Sequence, residues 1–422
     1  MIDNILNNQN EHWHGGVYPS VQREQLKQFI EYLPLKQIIT ISGVRRCGKS
    51  TLAKQVINHL IETGTSAKNI LFINLEQPFF IEYRHDSNYL NTLYEAYIKL
   101  INPKGKVTII FDEIQFFENW QVYLKSKYEN SYIKFIITGS NSSMLSNEMN
   151  TLLSGRSLNI HLNTFSFREF LDYKGIAYKE PLERLENKID IERAKDEYLK
   201  WGGFYEVFDV ESEQTKKEIL ISYARSIIYQ DIIPRYKIRN AELVERLFFY
   251  LLSHAGGVLN YTNLSKTFGV SDKSIKEYIN HFEDVFLFQR IDKYHNKPKE
   301  RIKSSKKLYV LDNGFLQIVP KNSENKGVSL ENLVFINLYA KDNTLTYLKD
   351  KYEVDFYTKG DYYQVAYDIS DPKTLKRELN AFKYFDISEE NHVEQKRRLI
   401  SYSENKVTND VEIISFESLL LN

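Results

Sequence analysis

Nine residues constrain this chain more than any others. The β-branched run Gln37-Ile38-Ile39-Thr40-Ile41-Ser42 breaks into Gly43-Val44-Arg45-Arg46-Cys47-Gly48-Lys49-Ser50-Thr51, and the helical pattern Leu52-Ala53-Lys54-Gln55-Val56-Ile57 follows. Strand, glycine loop and helix in that order turn consecutive backbone N–H groups toward an anion at the positive end of a helix. The pattern G-x-x-x-x-G-K-[ST] adds an ammonium, Lys49, for the β- and γ-phosphates and a hydroxyl, Ser50, for Mg²⁺. The expected nucleotide-contacting residues are therefore Gly43, Arg46, Cys47, Gly48, Lys49, Ser50 and Thr51. The expected core around them is a doubly wound α/β sheet.

A second apolar run, Val107-Thr108-Ile109-Ile110-Phe111, ends in Asp112-Glu113, about 60 residues beyond the loop. Carboxylates at the C-terminal edge of such a strand sit where open α/β sheets bind ligands. Asp112 is the expected Mg²⁺ partner, with Ser50, and Glu113 the residue that polarises an attacking water. A third run, Tyr132-Ile133-Lys134-Phe135-Ile136-Ile137, leads into Thr138-Gly139-Ser140-Asn141-Ser142-Ser143, which makes Ser140 or Asn141 the candidate γ-phosphate sensor. Arg156, in Leu153-Ser154-Gly155-Arg156, is a candidate cation for transition-state charge, in cis or across a subunit interface, or a surface residue after a turn. Cys47 lies where a helix N-terminus can lower a thiol's pKa, so it is either a redox-sensitive position or a small filler.

Composition excludes several classes. Lys plus Arg and Asp plus Glu both number 56 in 422 residues, so nucleic-acid contact would need a local patch. At about 150 residues per domain, that length suggests about three domains. One cysteine excludes an intramolecular disulfide and a cysteine-based zinc cluster, and fits a reducing compartment. Met1 to Asn8 lacks a basic start followed by an apolar run, and no stretch reaches the ~18 apolar residues that span a bilayer. The expected location is the cytoplasm, with no membrane partner.

Further along, Asn187-Lys188-Ile189-Asp190 matches the guanine-reading N-K-x-D pattern, but its charged surroundings read as a solvated helix and not as a strand end. Val244 to Ser253, Tyr261 to Thr267 and Asp272 to Asp284 read as three helices, with Gly269 turning the chain and Ser271 capping the third, and Val285 to Ile291 reads as a strand. That order suggests a winged helix. Arg290, Lys293, Lys297, Lys299, Arg301, Lys303, Lys306 and Lys307 form a basic strip beside it, a possible phosphate contact, although the reading helix Lys273 to Tyr278 carries no Arg. DNA binding and protein docking are both compatible with these residues.

Gly43 to Thr51, Asp112-Glu113-Ile114-Gln115 with Trp120, Thr138-Gly139-Ser140, Ser154-Gly155-Arg156 and Phe165-Ser166-Phe167-Arg168-Glu169-Phe170 together resemble a known family. It is that of bacterial and archaeal predicted ATPases with an AAA-type (AAA_14) core and a C-terminal DUF4143 region; Trp201-Gly202-Gly203-Phe204-Tyr205-Glu206 and Tyr229-Gln230-Asp231-Ile232 are also similar to it. The resemblance selects ATP, which nothing else in the residues does. It also implies a restriction-endonuclease-like PD-(D/E)xK fold at the C-terminal end, with Glu331 and Asp355 at the first two positions of its site. The third departs from the pattern: Gln364 stands for the acid and Ala366 for the lysine, with Lys373 or Lys376 as the nearest replacements. The site is expected to be degenerate, without nuclease activity.

The expected organisation is a P-loop core over 1–164, a helical lid over 165–217, a linker helix and winged helix over 218–306, and a nuclease-like domain over 307–422. The expected function is Mg²⁺-dependent ATP binding and hydrolysis that switches the placement of the later modules, on DNA or as a signalling scaffold for protein partners. A third reading keeps an active nuclease. Oligomerisation is compatible with the sequence.

Overall fold

The computed structural model describes residues 2–130, 132–142, 153, 155–319, 325–383, 395–408 and 410–421. Ser143 and Ser154 of the motifs above lie outside them. The chain divides into two compact units: Met1–Thr164 with Asp284–Phe286, and Phe165–Glu283 with Leu287–Asn422.

The first unit is built on five parallel strands, β1 (Ile38–Ser42), β2 (Ile70–Asn74), β3 (Val107–Asp112), β4 (Ile133–Gly139) and β5 (Ser157–His161), in the order β2-β3-β4-β1-β5. Every residue of β1, β3 and β4 is buried, as continuous apolar runs require when helices cover both faces of a sheet. One core packs Leu90, Leu93 and Tyr97 of the helix Tyr89–Ile101 with Ile109, Phe111 and Phe135 of the sheet. Each such side chain contributes about 1.5–3 kcal/mol on burial.

Register decides what meets at the sheet edge. β1 pairs with β4 through Ser42↔Gly139, and β3 pairs with β4 through Phe111↔Ile137. The loop that leaves Ser42, the acid Asp112 and Thr138 thus emerge together.

The second unit begins with helices, among them Phe167–Lys174, Lys188–Trp201 and Glu213–Ser226. Ser166 starts the first with a capping box: its hydroxyl accepts from Glu169 N (3.2 Å) and its own N–H donates to the Glu169 carboxylate (2.9 Å). Asn187-Lys188-Ile189-Asp190 opens the helix Lys188–Trp201, so it ends no strand and has no guanine-reading geometry.

These helices do not stand apart as a lid domain. At the end of the second, Gly202 lets the backbone come so close to Asp312 that a Cβ there would lie 2.0 Å from its carboxylate oxygen. Asp312 accepts from Gly203 N and from Gly314 N (both 2.8 Å), and Asn313 donates to Leu199 O (2.9 Å) and Ser329 O (2.8 Å). The Trp201-Gly202-Gly203 and Asp312-Asn313-Gly314 segments therefore lock together, which knits the helices to the C-terminal half of this unit.

The helices Ala241–Ser253, Tyr261–Phe268 and Asp272–Asp284 follow, with Gly269 left-handed (φ 68°) and Ser271 accepting from Ser274 N (3.1 Å). Strands β6 (Phe288–Lys293) and β7 (Lys306–Val310) form an antiparallel hairpin, and Val258 makes an isolated bridge to Lys307. The remaining strands are β8 (Thr346–Lys349), β9 (Glu353–Thr358), β10 (Asp361–Ala366), β11 (Arg397–Ser401), β12 (Lys406–Thr408) and β13 (Val411–Ser415), with the helices Lys326–Lys341 and Pro372–Lys383 among them. All eight join in one sheet, β12-β13-β11-β10-β9-β8-β6-β7. The expected division at 306/307 therefore falls between the two strands of a hairpin, and β6 is hydrogen-bonded to β8 beyond it.

His161, at the end of β5, gives unit one an acid sensitivity. Burial pushes its imidazole down to about 4, against a hydrogen bond to Asn163 and beside Lys49. The folded ring stays neutral while the unfolded ring charges below its ordinary 6.5, so stability falls as pH drops from about 6.5 to about 4, by roughly 3 kcal/mol in total. Urea unfolding of wild type and His161→Gln at pH 7 and pH 4.5 should show a smaller acid loss in the variant; equal losses would remove His161 as a cause.

Candidate functional site

The loop after β1 is shaped by two glycines. At Gly43 a Cβ would lie 2.1 Å from Leu162 O and 2.8 Å from Cys47 Sγ, so no other residue fits without moving backbone. Gly48 is left-handed (φ 97°), and a Cβ there would meet Arg23 Nη1 at 2.9 Å. Arg46 is also left-handed (φ 72°) and exposed, whereas Arg45 is buried and its guanidinium donates to Glu76 Oε1 at 2.6 and 2.9 Å. The helix Lys49–Glu62 starts directly from this loop, with Ser50 and Thr51 in its first turn, where N–H groups lack intrahelical acceptors.

Across from the loop stands the acidic pair. Ser50 Oγ donates to Asp112 Oδ2 (2.7 Å), Thr138 Oγ1 donates to Asp112 Oδ1 (2.6 Å), and Glu113 N donates to Thr138 Oγ1 (2.9 Å). Burial, then Glu113, pushes the Asp112 carboxyl above its ordinary range; the two hydroxyls and Lys49 pull the other way. A dehydrated carboxylate beside a hydroxyl is a donor set of hard oxygens, and that fits Mg²⁺.

Lys49 is buried, with its ammonium 3.2 Å from Glu113 Oε1 and 3.3 Å from the carbonyls of Gly43 and Val44. Burial opposes its charge, but Glu113, Cys47 and Asp112 hold its pKa above the ordinary value. Burial likewise opposes the charge of Glu113, and Lys49 with Gln115 outweighs it and keeps that carboxylate ionised. Glu113 has a left-handed backbone (φ 55°), strained for a residue with a side chain. Gln115 Nε2 bridges Glu113 Oε2 (2.5 Å) to Ser140 Oγ (3.2 Å).

The structure thus brings together Gly43, Gly48, Lys49, Ser50, Asp112 and Glu113. Of the two sensor candidates, Ser140 is bonded into the acidic pair through Gln115, and Asn141 is buried next to it in the chain. Arg156 is not brought in. It precedes β5 beside Ile38, whose N–H donates to its carbonyl (2.8 Å), so it lies at the opposite end of β1 from the loop. Its guanidinium is 3.7 Å from Glu129 and stacks on Tyr128. A finger role in cis fails on that geometry. The redox reading of Cys47 fails too: the thiol is buried, and burial pushes its pKa up despite Lys49 and Arg23.

Two positioning groups had escaped the sequence reading. Thr138 lay within a quoted motif, but only the register shows that one hydroxyl serves both acids. Arg23 stands in Val21-Gln22-Arg23-Glu24, which has no motif or period, yet it is buried and donates to Cys47 O (2.5 Å) and Asn163 O (2.7 Å). It buttresses the loop from behind.

In the second unit, much of the basic strip is neutralised. Arg290 is bonded to Glu283, Lys306 and Arg301 to Asp292, and Lys297 lies 3.7 Å from Glu300. Lys299 and Lys303 stay exposed, Lys293 is half-buried, and Lys307 is buried. Glu331 and Asp355 do converge, on Lys307, while Gln364 Nε2 turns to Glu378 (2.8 Å). Lys373 and Lys376 are exposed on the helix Pro372–Lys383, so neither replaces the lysine missing at Ala366.

Residues 35–171 match the AAA domain family. Residues 192–326 match a domain of unknown function, DUF8612, in place of the DUF4143 region that the resemblance implied. An uncharacterized protein of Haemophilus influenzae is 32% identical over 83% of this chain and 87% of its own length. The uncharacterized protein MJ1544 of Methanocaldococcus jannaschii is 33% identical over 84% of this chain and 79% of its own. Among solved structures, the Aeropyrum pernix ORC1 protein in complex with DNA is similar at 12% identity and a TM-score of 0.34, over 78% of this chain and 98% of that one. The S. cerevisiae Hsp104–ADP complex is similar at 14% identity and a TM-score of 0.37, over 68% and 41%. Among the described residues, no helix is long and apolar enough to cross a membrane.

The Thr138 hydroxyl gives a direct test of the site's construction. Thr138→Val keeps the shape but leaves Asp112 Oδ1 and Glu113 N–H without that partner, at a cost of about 2 kcal/mol. Urea unfolding should register that loss; an unchanged midpoint would mean the hydroxyl does not hold the acidic pair.

Proposed function

The chain belongs to the family of these Haemophilus and Methanocaldococcus proteins, with an AAA-type core at residues 35–171, and on that premise we propose that it is a Mg²⁺-dependent ATPase. The observation that carries the reading is the meeting of Lys49 and Ser50 with Glu113 and Asp112 at one sheet edge. Loop amides and the first turn of the helix Lys49–Glu62 hold the phosphates. Ser50 and Asp112 would hold Mg²⁺, which would supply charge neutralisation at the phosphate oxygens. Lys49 transfers its ammonium from Glu113 to the phosphates. The released Glu113 carboxylate, aimed by Gln115, orients and polarises the attacking water. Ser140 reports the γ-phosphate through the same Gln115 bridge.

The second unit is the output module. Three helices, the bridge at Val258 and the β6–β7 hairpin support a winged-helix reading, and the strands β8 to β11 with their two helices support a nuclease-like one. The ion pairs of the basic strip weigh against DNA and for a protein partner as the target of the switch.

Hydrolysis assays separate the roles. Glu113→Gln should lower kcat by about 10²–10⁴-fold while ATP still binds; wild-type turnover would remove Glu113 as the base. Arg156→Ala should hydrolyse ATP at the wild-type rate, and a tenfold loss would place Arg156 in a neighbouring subunit's site. Added DNA should leave the rate unchanged at low and at high salt; stimulation that fades with salt would restore the DNA-directed reading.

A further inference from the structure

Lys307, the second residue of β7, is buried among acids from other elements. Its ammonium lies 2.6 Å from Glu353 Oε1, 3.4 Å from Glu331 Oε1 and 3.7 Å from Asp355 Oδ1. Glu331 comes from the helix Lys326–Lys341, and Glu353 and Asp355 from β9. Tyr309 Oη donates to Glu331 Oε1 (2.7 Å), Val365 N to Asp355 Oδ2 (2.9 Å), and Lys349 lies 2.6 Å from Glu353 Oε2.

Three carboxyl groups converging on one point form a pocket for a cation, and the chain already brings one. We propose that Lys307 is the resident cation of this acidic pocket: its ammonium stands where the three carboxyl groups would otherwise gather a divalent metal ion, and it pins the β6–β7 hairpin to the C-terminal strands. Two features follow from a single charge taking the place of a double one. Glu331 at 3.4 Å and Asp355 at 3.7 Å stand beyond metal–oxygen bonds of about 2.0–2.6 Å, and the 2.6 Å contact to Glu353 is a short ammonium–carboxylate pair; among the described residues no group of three or more His, Cys, Asp or Glu side chains is arranged to hold a metal. The unmatched negative charge falls on Asp355, whose carboxyl is pushed well up by burial and then by Glu331. The lysine absent from β10 therefore has no functional replacement here; Lys307 occupies the pocket and leaves no place for metal-ion chemistry. This inference is independent of the nucleotide site.

Mn²⁺ binding by the full chain, followed without nucleotide by electron paramagnetic resonance, tests it. Wild type and Asp355→Asn should bind the same amount of Mn²⁺. Lys307→Ala should bind one more Mn²⁺ per chain, and Lys307→Ala/Asp355→Asn should lose it. An Asp355-dependent Mn²⁺ site in wild type would overturn the proposal, as would a folded Lys307→Ala that gains no ion. If Lys307→Ala does not fold in metal-free buffer, the comparison of wild type with Asp355→Asn still decides whether the pocket is closed to metal.

Discussion

Parallel pairing of β4 between β1 and β3 is the constraint from which the first unit's chemistry follows. Neither motif-bearing strand touches the other; each is held by hydrogen bonds to β4, and their ends are level because Ser42 pairs with Gly139 and Phe111 with Ile137. In that register Thr138 reaches both Asp112 and Glu113. A slip of one residue would turn the β3 side chains to the opposite face and carry Asp112 away from Ser50. The buried apolar runs that fix the register are thus as much part of the site as the polar residues it displays.

Electrostatics completes what register begins. Four ionisable or hydroxyl groups, Lys49, Ser50, Asp112 and Glu113, are buried or half-buried and satisfy one another in pairs. Pairing of this kind tolerates burial only because each charge has a partner. Arg23 and Arg45 surround the loop with further charge, one bonded to its backbone and the other to Glu76.

The loop, the acidic pair and the third strand were readable because each combines a local period with a fixed polar ending, and the three helices from Ala241 were readable from caps and turns such as Gly269 and Ser271. What failed depends on contacts remote in sequence. The basic strip reads as a local positive field while Glu283 is not known to face Arg290 and one acid within the strip, Asp292, is not known to meet both Lys306 and Arg301. Arg156 follows a turn, and only strand pairing shows that the turn lies at the wrong end of β1. The division at 306/307 fails because a hairpin and the strands after it share one sheet, a pairing that no local pattern encodes. Gly202-Gly203, visible only as a helix end, acquires its reason from Asp312, more than a hundred residues away.

The proposed function requires the loop and the acidic pair together to hold a magnesium nucleotide. Calorimetric titration of the purified chain with ATP, with Mg²⁺ and with the metal chelated, in wild type and Lys49→Ala, addresses it most directly. Binding that is stoichiometric, weakened by chelation and lost in the Lys49 variant is the predicted result. No binding by wild type, or binding indifferent to both Mg²⁺ and Lys49, would contradict it.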